Sequence, residues 1–224
     1  MTVLAIAVTD ARPAPQIGAP AITFRLYVED LLGGRVHAVV LRCQVRIEPR
    51  RRRYTDAEQE RLYELFGDPA QWDRTLQAVT WSHTSLVVPG FERRAEVDLT
   101  VPCTYDLEVA SAKYLHAVRD GDIPLVFLFS GTIFRAGDAG AARGVVETGS
   151  FIVEPVSWDL EATFRMPSAV WRATMDQFFP GGGWLRLQRE TIDRLQAFRG
   201  QQAVVTWDEA IDLLLQASTP RQPV

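Results

Sequence analysis

Reactive side chains are scarce in this chain of 224 residues. Lys113 is its only lysine, so a single amine is available for Schiff-base chemistry. The two cysteines, Cys43 and Cys103, form no CxxC pair, which excludes the common zinc ribbons and knuckles. The histidines form no HxH, HxxxH or HExxH arrangement, and glycine-rich nucleotide motifs are absent. We therefore expect neither a dedicated metal site nor a cofactor.

Long apolar runs and a surplus of positive charge are missing as well. No run of about eighteen apolar residues occurs, so the sequence predicts no membrane-spanning helix. The first residues lack a basic segment followed by a long apolar one, which predicts no signal peptide and a cytoplasmic location. The formal net charge of −4 disfavours a nucleic-acid-binding protein.

What the sequence does contain is typical of a globular protein, with strand patterns first and helix patterns last. Apolar residues make up 47% and charged residues 23% of the chain. Period-two alternation gives way to helical spacing after Met166, and this order is typical of the α+β class. We predict a mainly antiparallel β-sandwich of about seven or eight strands over residues 1–166, with a helical insertion near 55–74. Residues 167–224 are predicted to form a C-terminal helical appendage, packed on the sandwich or on a partner.

Three alternating runs define the predicted strands most clearly. Residues 22–28 and 39–47 alternate and are joined by a glycine turn, which predicts an antiparallel hairpin. The same alternation places Cys43 on the core face. Residues 95–109 form the longest run, which places Cys103 on a core face and makes Pro102 a bend or an edge position.

Two helices carry capping-box signals. Thr55 and Glu58 have the spacing of such a box and predict a helix over about 56–66, which Gly67 would end. Thr206 and Glu209 repeat the spacing before the last apolar run and predict a C-terminal helix.

A basic cluster precedes the first of these helices. It consists of four consecutive arginines: Arg50, Arg51, Arg52 and Arg53. Such a run is a candidate surface for a phosphate or an acidic partner. The alternative is a solvated strand end whose charges face Glu58, Glu60 and Glu64.

Aromatic residues are concentrated in the last third of the chain and form a second candidate surface. The members that we single out are Trp171, Phe179, Trp184 and Trp207. Tryptophan is enriched at binding hot spots, which favours a partner interface. The alternative is a core that joins the helices to the sheet, because aromatic area dominates packing energy.

An enzymatic hypothesis centres on His83. A hydrolytic triad would combine this histidine with Ser82 or Ser85 and with Asp98 or Asp106. No GxSxG motif exposes a nucleophile, and adjacent residues of a strand point to opposite faces. A sandwich that binds a small molecule is a further alternative.

Several segments together resemble a family. They are HAVVLRCQVRIEPRRRRY, ERLYELFG, VPGF followed by EVDLTVPCTYDLEVASAKYLHAV, GDIPLVFLFSGTIF, FFPGGGWLRLQRETIDRL and TWDEAIDLLL. With these segments the chain resembles an uncharacterised bacterial family of unknown function, and the similarity covers nearly its whole length. Genes of that family are often found beside those of uptake-type nickel–iron hydrogenases. The resemblance implies an accessory or assembly role, and it brings no catalytic residues with it.

We therefore expect a non-enzymatic protein-binding or assembly accessory protein. Its partner would be a protein, with a hydrogenase subunit or a maturation factor as the identity that the resemblance implies. Pairing of two copies through an edge strand is a further expectation.

Overall fold

The computed structural model describes residues 3–15, 18–104, 106, 109–136, 146–148, 151–181 and 187–218. The strands in chain order are β1 (Leu4–Pro13), β2 (Ala21–Asp30), β3 (Arg35–Ile47), β4 (Val79–Glu92), β5 (Arg94–Pro102), β6 (Asp122–Ala136), β7 (Val146–Thr148), β8 (Phe151–Pro155) and β9 (Glu161–Pro167). The helices are α1 (Asp56–Phe66), α2 (Trp72–Thr75), α3 (Ala110–Ala117), α4 (Ser168–Phe178), α5 (Arg189–Gln201) and α6 (Trp207–Ser218).

The strands form two antiparallel sheets that share one core. The first sheet has the order β1-β2-β5, and the second has the order β4-β3-β6-β8-β7, with β9 also paired to β6. Phe24 of β2 connects the two inner faces, because its ring centroid lies 5.0 Å from that of Phe127 on β6 and 6.1 Å from that of Trp81 on β4. The predicted α+β class with antiparallel sheets is confirmed.

The alternating strands bury the predicted faces, but two of them pair differently from the prediction. Every second residue of 39–47 is buried on β3, as is every second residue of 22–28 on β2. The predicted hairpin between these strands is wrong, since β2 pairs with β1 and β5 whereas β3 pairs with β4 and β6. The glycine turn carries the chain from one sheet to the other, because both apolar faces then line the same core.

The close contact between the two central strands requires a glycine. At Gly131 of β6 the backbone φ is +153°, and a Cβ atom built there would lie 2.0 Å from the carbonyl oxygen of Val40 on β3. A side chain at this position would push the strands apart.

The helical insertion follows its predicted capping signals. The Thr55 hydroxyl accepts a hydrogen bond from the Glu58 amide, and the Glu58 carboxylate accepts one from the Thr55 amide. Gly67 ends α1 with a left-handed φ of 71°, and its amide donates to the Tyr63 carbonyl. The predicted helix over 56–66 is confirmed.

The third alternating run is shorter than predicted. Strand β5 ends at Pro102, and the Cys103 amide then donates to the Pro20 carbonyl. The predicted continuation falls partly on residues 105, 107 and 108, which lie outside the described residues. Cys43 and Cys103 are both buried, as their positions in the alternation predicted.

The chain divides into two compact units, Met1–Gly183 and Trp184–Val224. Helix α4 belongs to the first unit, where it contacts β1, β2 and β9. The division therefore lies beyond the boundary that we predicted at residue 166. The second unit contains α5 and α6, which contact each other. Within the part of the chain described here, no helix combines the length and the apolar character needed to cross a membrane.

Candidate functional site

The four consecutive arginines occupy the link between β3 and α1. Pro49 opens a short 3₁₀ turn that ends at Arg51, and Arg52 returns to an extended conformation before the Thr55 cap. Arg165, an exposed residue of β9, lies beside this link, and its guanidinium donates a 3.2 Å hydrogen bond to the Arg51 carbonyl. Two elements that are far apart in the sequence thus bring five arginines together.

Arg52 is held in a nearly buried ion pair. Its Nη2 atom lies 2.8 Å and 3.0 Å from the two carboxylate oxygens of Glu58. The side chains are 10% exposed for Arg52 and 4% exposed for Glu58. The guanidinium also donates to the carbonyls of Asp120 and Asp122, and it lies 4.9 Å from the centroid of the Tyr54 ring. Arg52 therefore fixes the link to α1 and to the segment before β6.

Backbone carbonyls hold the Arg50 side chain in place, whereas the side chains of Arg51 and Arg53 are not held by any described residue. The Arg50 Nε atom donates a 2.6 Å hydrogen bond to the Leu76 carbonyl, and its Nη2 atom donates a 3.4 Å bond to the Arg74 carbonyl. Arg51 and Arg53 are exposed, and within the described residues their guanidinium groups make no hydrogen bond or ion pair. Their charges are available to a ligand.

An open cleft of about 540 Å³ collects these groups. Its lining consists of Arg50, Arg51, Arg52, Arg53, Gly121, Asp122 and Arg165. Five guanidinium groups and the carboxylates of Glu58 and Asp122 leave three surplus positive charges here. The whole chain has a formal net charge of −4, so this region has the opposite sign from the rest of the molecule.

A second cleft adjoins the first. It has a volume of about 340 Å³ and shares Arg51 and Arg165 with the arginine-lined cleft. The rest of its lining is Pro124, Leu125, Thr163 and Phe164, most of which is apolar. The two clefts together offer a cationic region next to an uncharged one.

The first of the four predicted aromatic residues, Trp171, does not lie at the surface of its unit. Trp171 is only 2% exposed, and its ring packs in the core of the first unit against Trp81 and His116, with centroids 6.4 Å and 5.5 Å away. Phe179 is half-buried against the same core. Trp171 thus follows the core alternative, because α4 faces the sheets. Trp184 lies outside the described residues.

Trp207 belongs to the second unit, where apolar side chains are unusually exposed. Helix α5 has no buried residue, and α6 buries only Ala210. The large apolar residues exposed in this unit are Ile192, Val205, Trp207, Ile211, Leu213, Leu214 and Leu215. The Arg199 guanidinium lies 4.2 Å from the Trp207 ring centroid and covers one part of that ring. The predicted capping box is present, since Glu209 and Thr206 exchange amide hydrogen bonds.

Of the components of the hypothetical triad, Asp98 is engaged by two arginines. His83 is an exposed residue of β4. Asp98 on β5 accepts a 2.6 Å hydrogen bond from each of Arg25 and Arg12, and the bond from Arg25 is the main cause that lowers the pKa of this carboxyl. The cysteines offer no alternative nucleophile, because burial raises the pKa of each thiol to about 12. Among the described residues, no three histidine, cysteine or carboxylate side chains are grouped to hold a metal ion.

The sequence pattern identified the arginine run but not the residue that completes the cleft. Arg165 lies on the polar side of an alternating strand, where it looks like any other solvated charge. Its place beside Arg51 depends on the pairing of β9 with β6, a long-range contact that alternation does not encode.

Comparison with known proteins gives a family but no function. No curated protein matches the chain. One solved structure with partial likeness is the selenomethionine-labelled β-glucosidase from Kluyveromyces marxianus, with 10% sequence identity and a TM-score of 0.19. The match covers 74% of this chain and 15% of the glucosidase chain, and a TM-score this low does not show a shared fold. A family model described as "Family of unknown function (DUF6084)" matches residues 1–223. The chain belongs to this family, DUF6084.

Proposed function

We propose that this protein is a non-enzymatic accessory protein that holds a protein partner through the apolar surface of α5 and α6. The observation that carries the proposal is the exposure of Ile211, Leu214 and Leu215 on α6, a helix that buries only Ala210. An apolar helix face of this kind is normally covered, either by the rest of the protein or by a partner.

The free energy available from covering this surface is large. Burying a fully exposed leucine side chain contributes roughly 1.5–3 kcal/mol. Ile211, Leu214 and Leu215 are 41%, 37% and 58% exposed, so each would contribute about half of that. Asp208, Glu209 and Asp212 are exposed on the same helix and supply an acidic border. The partner surface that fits is therefore an apolar groove with basic residues at its edge.

The proposed identity of the partner rests on the sequence resemblance. Genes of the family that the chain resembles often lie beside those of uptake nickel–iron hydrogenases. We therefore propose that the partner is a hydrogenase subunit or a hydrogenase maturation factor. Binding of this kind requires no cofactor on this chain.

The test is affinity capture of the tagged full chain from its native cells, compared with two matched variants. Leu214→Glu with Leu215→Glu places two charges on the exposed face of α6. Leu31→Glu with Leu32→Glu places the same charges on two exposed leucines of the β2–β3 turn. Circular dichroism verifies that both variants are folded.

We expect hydrogenase subunits or maturation factors in stoichiometric amounts with the wild-type chain and the turn variant, and a loss of at least tenfold with the α6 variant. Recovery of this chain alone would contradict the proposal. If light scattering then shows a dimer that the α6 variant breaks, the surface serves self-association instead. Equal recovery with both variants would contradict the role of α6.

A further inference from the structure

We propose that the arginine-lined cleft between β3, β9 and α1 binds a small molecule that carries a phosphate group. This site lies within the first unit and is independent of the apolar helices that the proposed function uses. The residues that would contact the phosphate are Arg51, Arg53 and Arg165.

The geometry favours an anion with more than one charge. Arg51 and Arg53 keep their guanidinium groups free of protein partners within the described residues, and Arg165 is bound only through a backbone carbonyl. Each guanidinium offers a fork of donors that matches phosphate oxygens. A single carboxylate would satisfy one such fork, whereas a phosphate carries more charge and more acceptor oxygens and can engage several.

The link that carries these arginines is fixed before a ligand arrives. Arg50 is bonded to the carbonyls of Leu76 and Arg74, and Arg52 is paired with Glu58 inside the protein. These two arginines are positioning residues, because they hold the backbone from which Arg51 and Arg53 extend. A preformed site lowers the entropy cost of binding.

The size and the surroundings of the cleft indicate a small molecule. A volume of about 540 Å³ is within the range of roughly 300–1,000 Å³ that ligand pockets occupy. Asp122 is the carboxylate on the rim that would repel an anion, so we place the phosphate on the side of Arg51 and Arg165. The adjoining cleft shares these two arginines, and its apolar lining can receive the uncharged part of the ligand.

The overall charge of the chain would not by itself attract a phosphate compound. The chain is acidic overall, with 28 aspartate and glutamate residues against 24 lysine and arginine residues. An anion is therefore repelled by the molecule as a whole and attracted at this cleft, so any affinity reports on the local cluster.

Isothermal titration calorimetry of the full chain tests the proposal, with inorganic pyrophosphate, ATP and adenosine as probes in about 150 mM KCl, where long-range attraction is screened. The variant Arg51→Ala with Arg53→Ala removes the two available guanidinium groups. The matched control is Arg35→Ala with Arg172→Ala, which removes the same charge from two exposed arginines outside both clefts.

We expect pyrophosphate and ATP to bind and adenosine to give no heat. Each guanidinium removed should weaken binding about tenfold, so the site variant should lose about a hundredfold and the control almost nothing. The proposal is overturned if neither phosphate compound binds at millimolar concentration, if adenosine binds as well as ATP, or if both variants bind equally. None of these results bears on capture through α6, so the two proposals fail separately.

Discussion

Arg52 and Glu58 have opposite charges, and both side chains are almost fully buried. Their pairing is therefore important for the stability of the fold. Replacing Glu58 by alanine would leave a buried guanidinium without its carboxylate and would also remove one half of the α1 capping box. We expect a loss of about 3–5 kcal/mol in the free energy of unfolding, measured by urea denaturation.

Glu60 provides the matched control for this measurement. It lies on the same helix and is exposed, so Glu60→Ala should change stability by no more than about 0.5 kcal/mol. Similar small losses for the two variants would mean that Arg52 reaches water when its partner is removed.

The roles of the four consecutive arginines could not be predicted from the run itself. The sequence offered two interpretations, a ligand-binding surface and a solvated strand end that faces glutamates. Arg52 pairs with Glu58, as the second interpretation predicted, but the pair is nearly buried and not solvated. Arg51 and Arg53 are exposed and have no side-chain partner among the described residues, and their role in binding a ligand is a proposal. Four identical neighbours carry no local signal that separates their roles, because each role depends on contacts with α1, α2 and β9.

At the scale of elements, helix α6 depends on its own first turn, because Ala210 is its only buried residue. The Glu209 carboxylate accepts hydrogen bonds from the amides of Thr206 and Val205, and the bond from Thr206 is the main cause that lowers its pKa. We expect Thr206→Ala to increase amide hydrogen exchange in α6 severalfold, as measured by mass spectrometry.

The other capping box supplies the control for this experiment. Thr55→Ala removes the same hydroxyl from α1 in the first unit. It should accelerate exchange in α1 and leave α6 at the wild-type rate. Unchanged exchange of α6 in Thr206→Ala would show that something other than its cap holds the helix.

Helices and strands were predictable from the sequence where residues close together in the chain define them. Capping boxes gave the starts of α1 and α6, and alternation gave the buried faces of β2 and β3. Pairing was not predictable in the same way, because alternation tells which face is buried but not which strand lies alongside. The β2–β3 turn illustrates this, since a glycine turn serves a hairpin and a crossing between sheets equally well.

At the scale of the whole molecule, one buried ion pair joins the two sheets. Arg135 of β6 donates a 3.0 Å hydrogen bond to Asp30 of β2, whose side chain is 0% exposed, and also contacts Glu154 of β8. Asp30→Ala leaves this arginine with half of its partners. We expect a loss of about 3–5 kcal/mol in the free energy of unfolding.

Urea denaturation followed by both tryptophan fluorescence and circular dichroism would measure that loss. Glu29→Ala is the control, because Glu29 pairs with Arg94 at the surface and such pairs contribute about 1 kcal/mol or less. If Asp30→Ala is no more damaging than Glu29→Ala, the sheets are held together by the apolar core alone.

The sheet order β1-β2-β5 has a consequence for how the chain folds as it leaves the ribosome. Strand β2 obtains its second neighbour only after β3, the helical insertion and β4 have been made, because β5 follows all of them. Until then the edge of β2 that later meets β5 has no partner from its own sheet. Long-range pairing of this kind raises contact order and slows folding. The nascent chain therefore exposes an apolar strand edge for as long as that synthesis takes, and in this interval the protein is most vulnerable to aggregation.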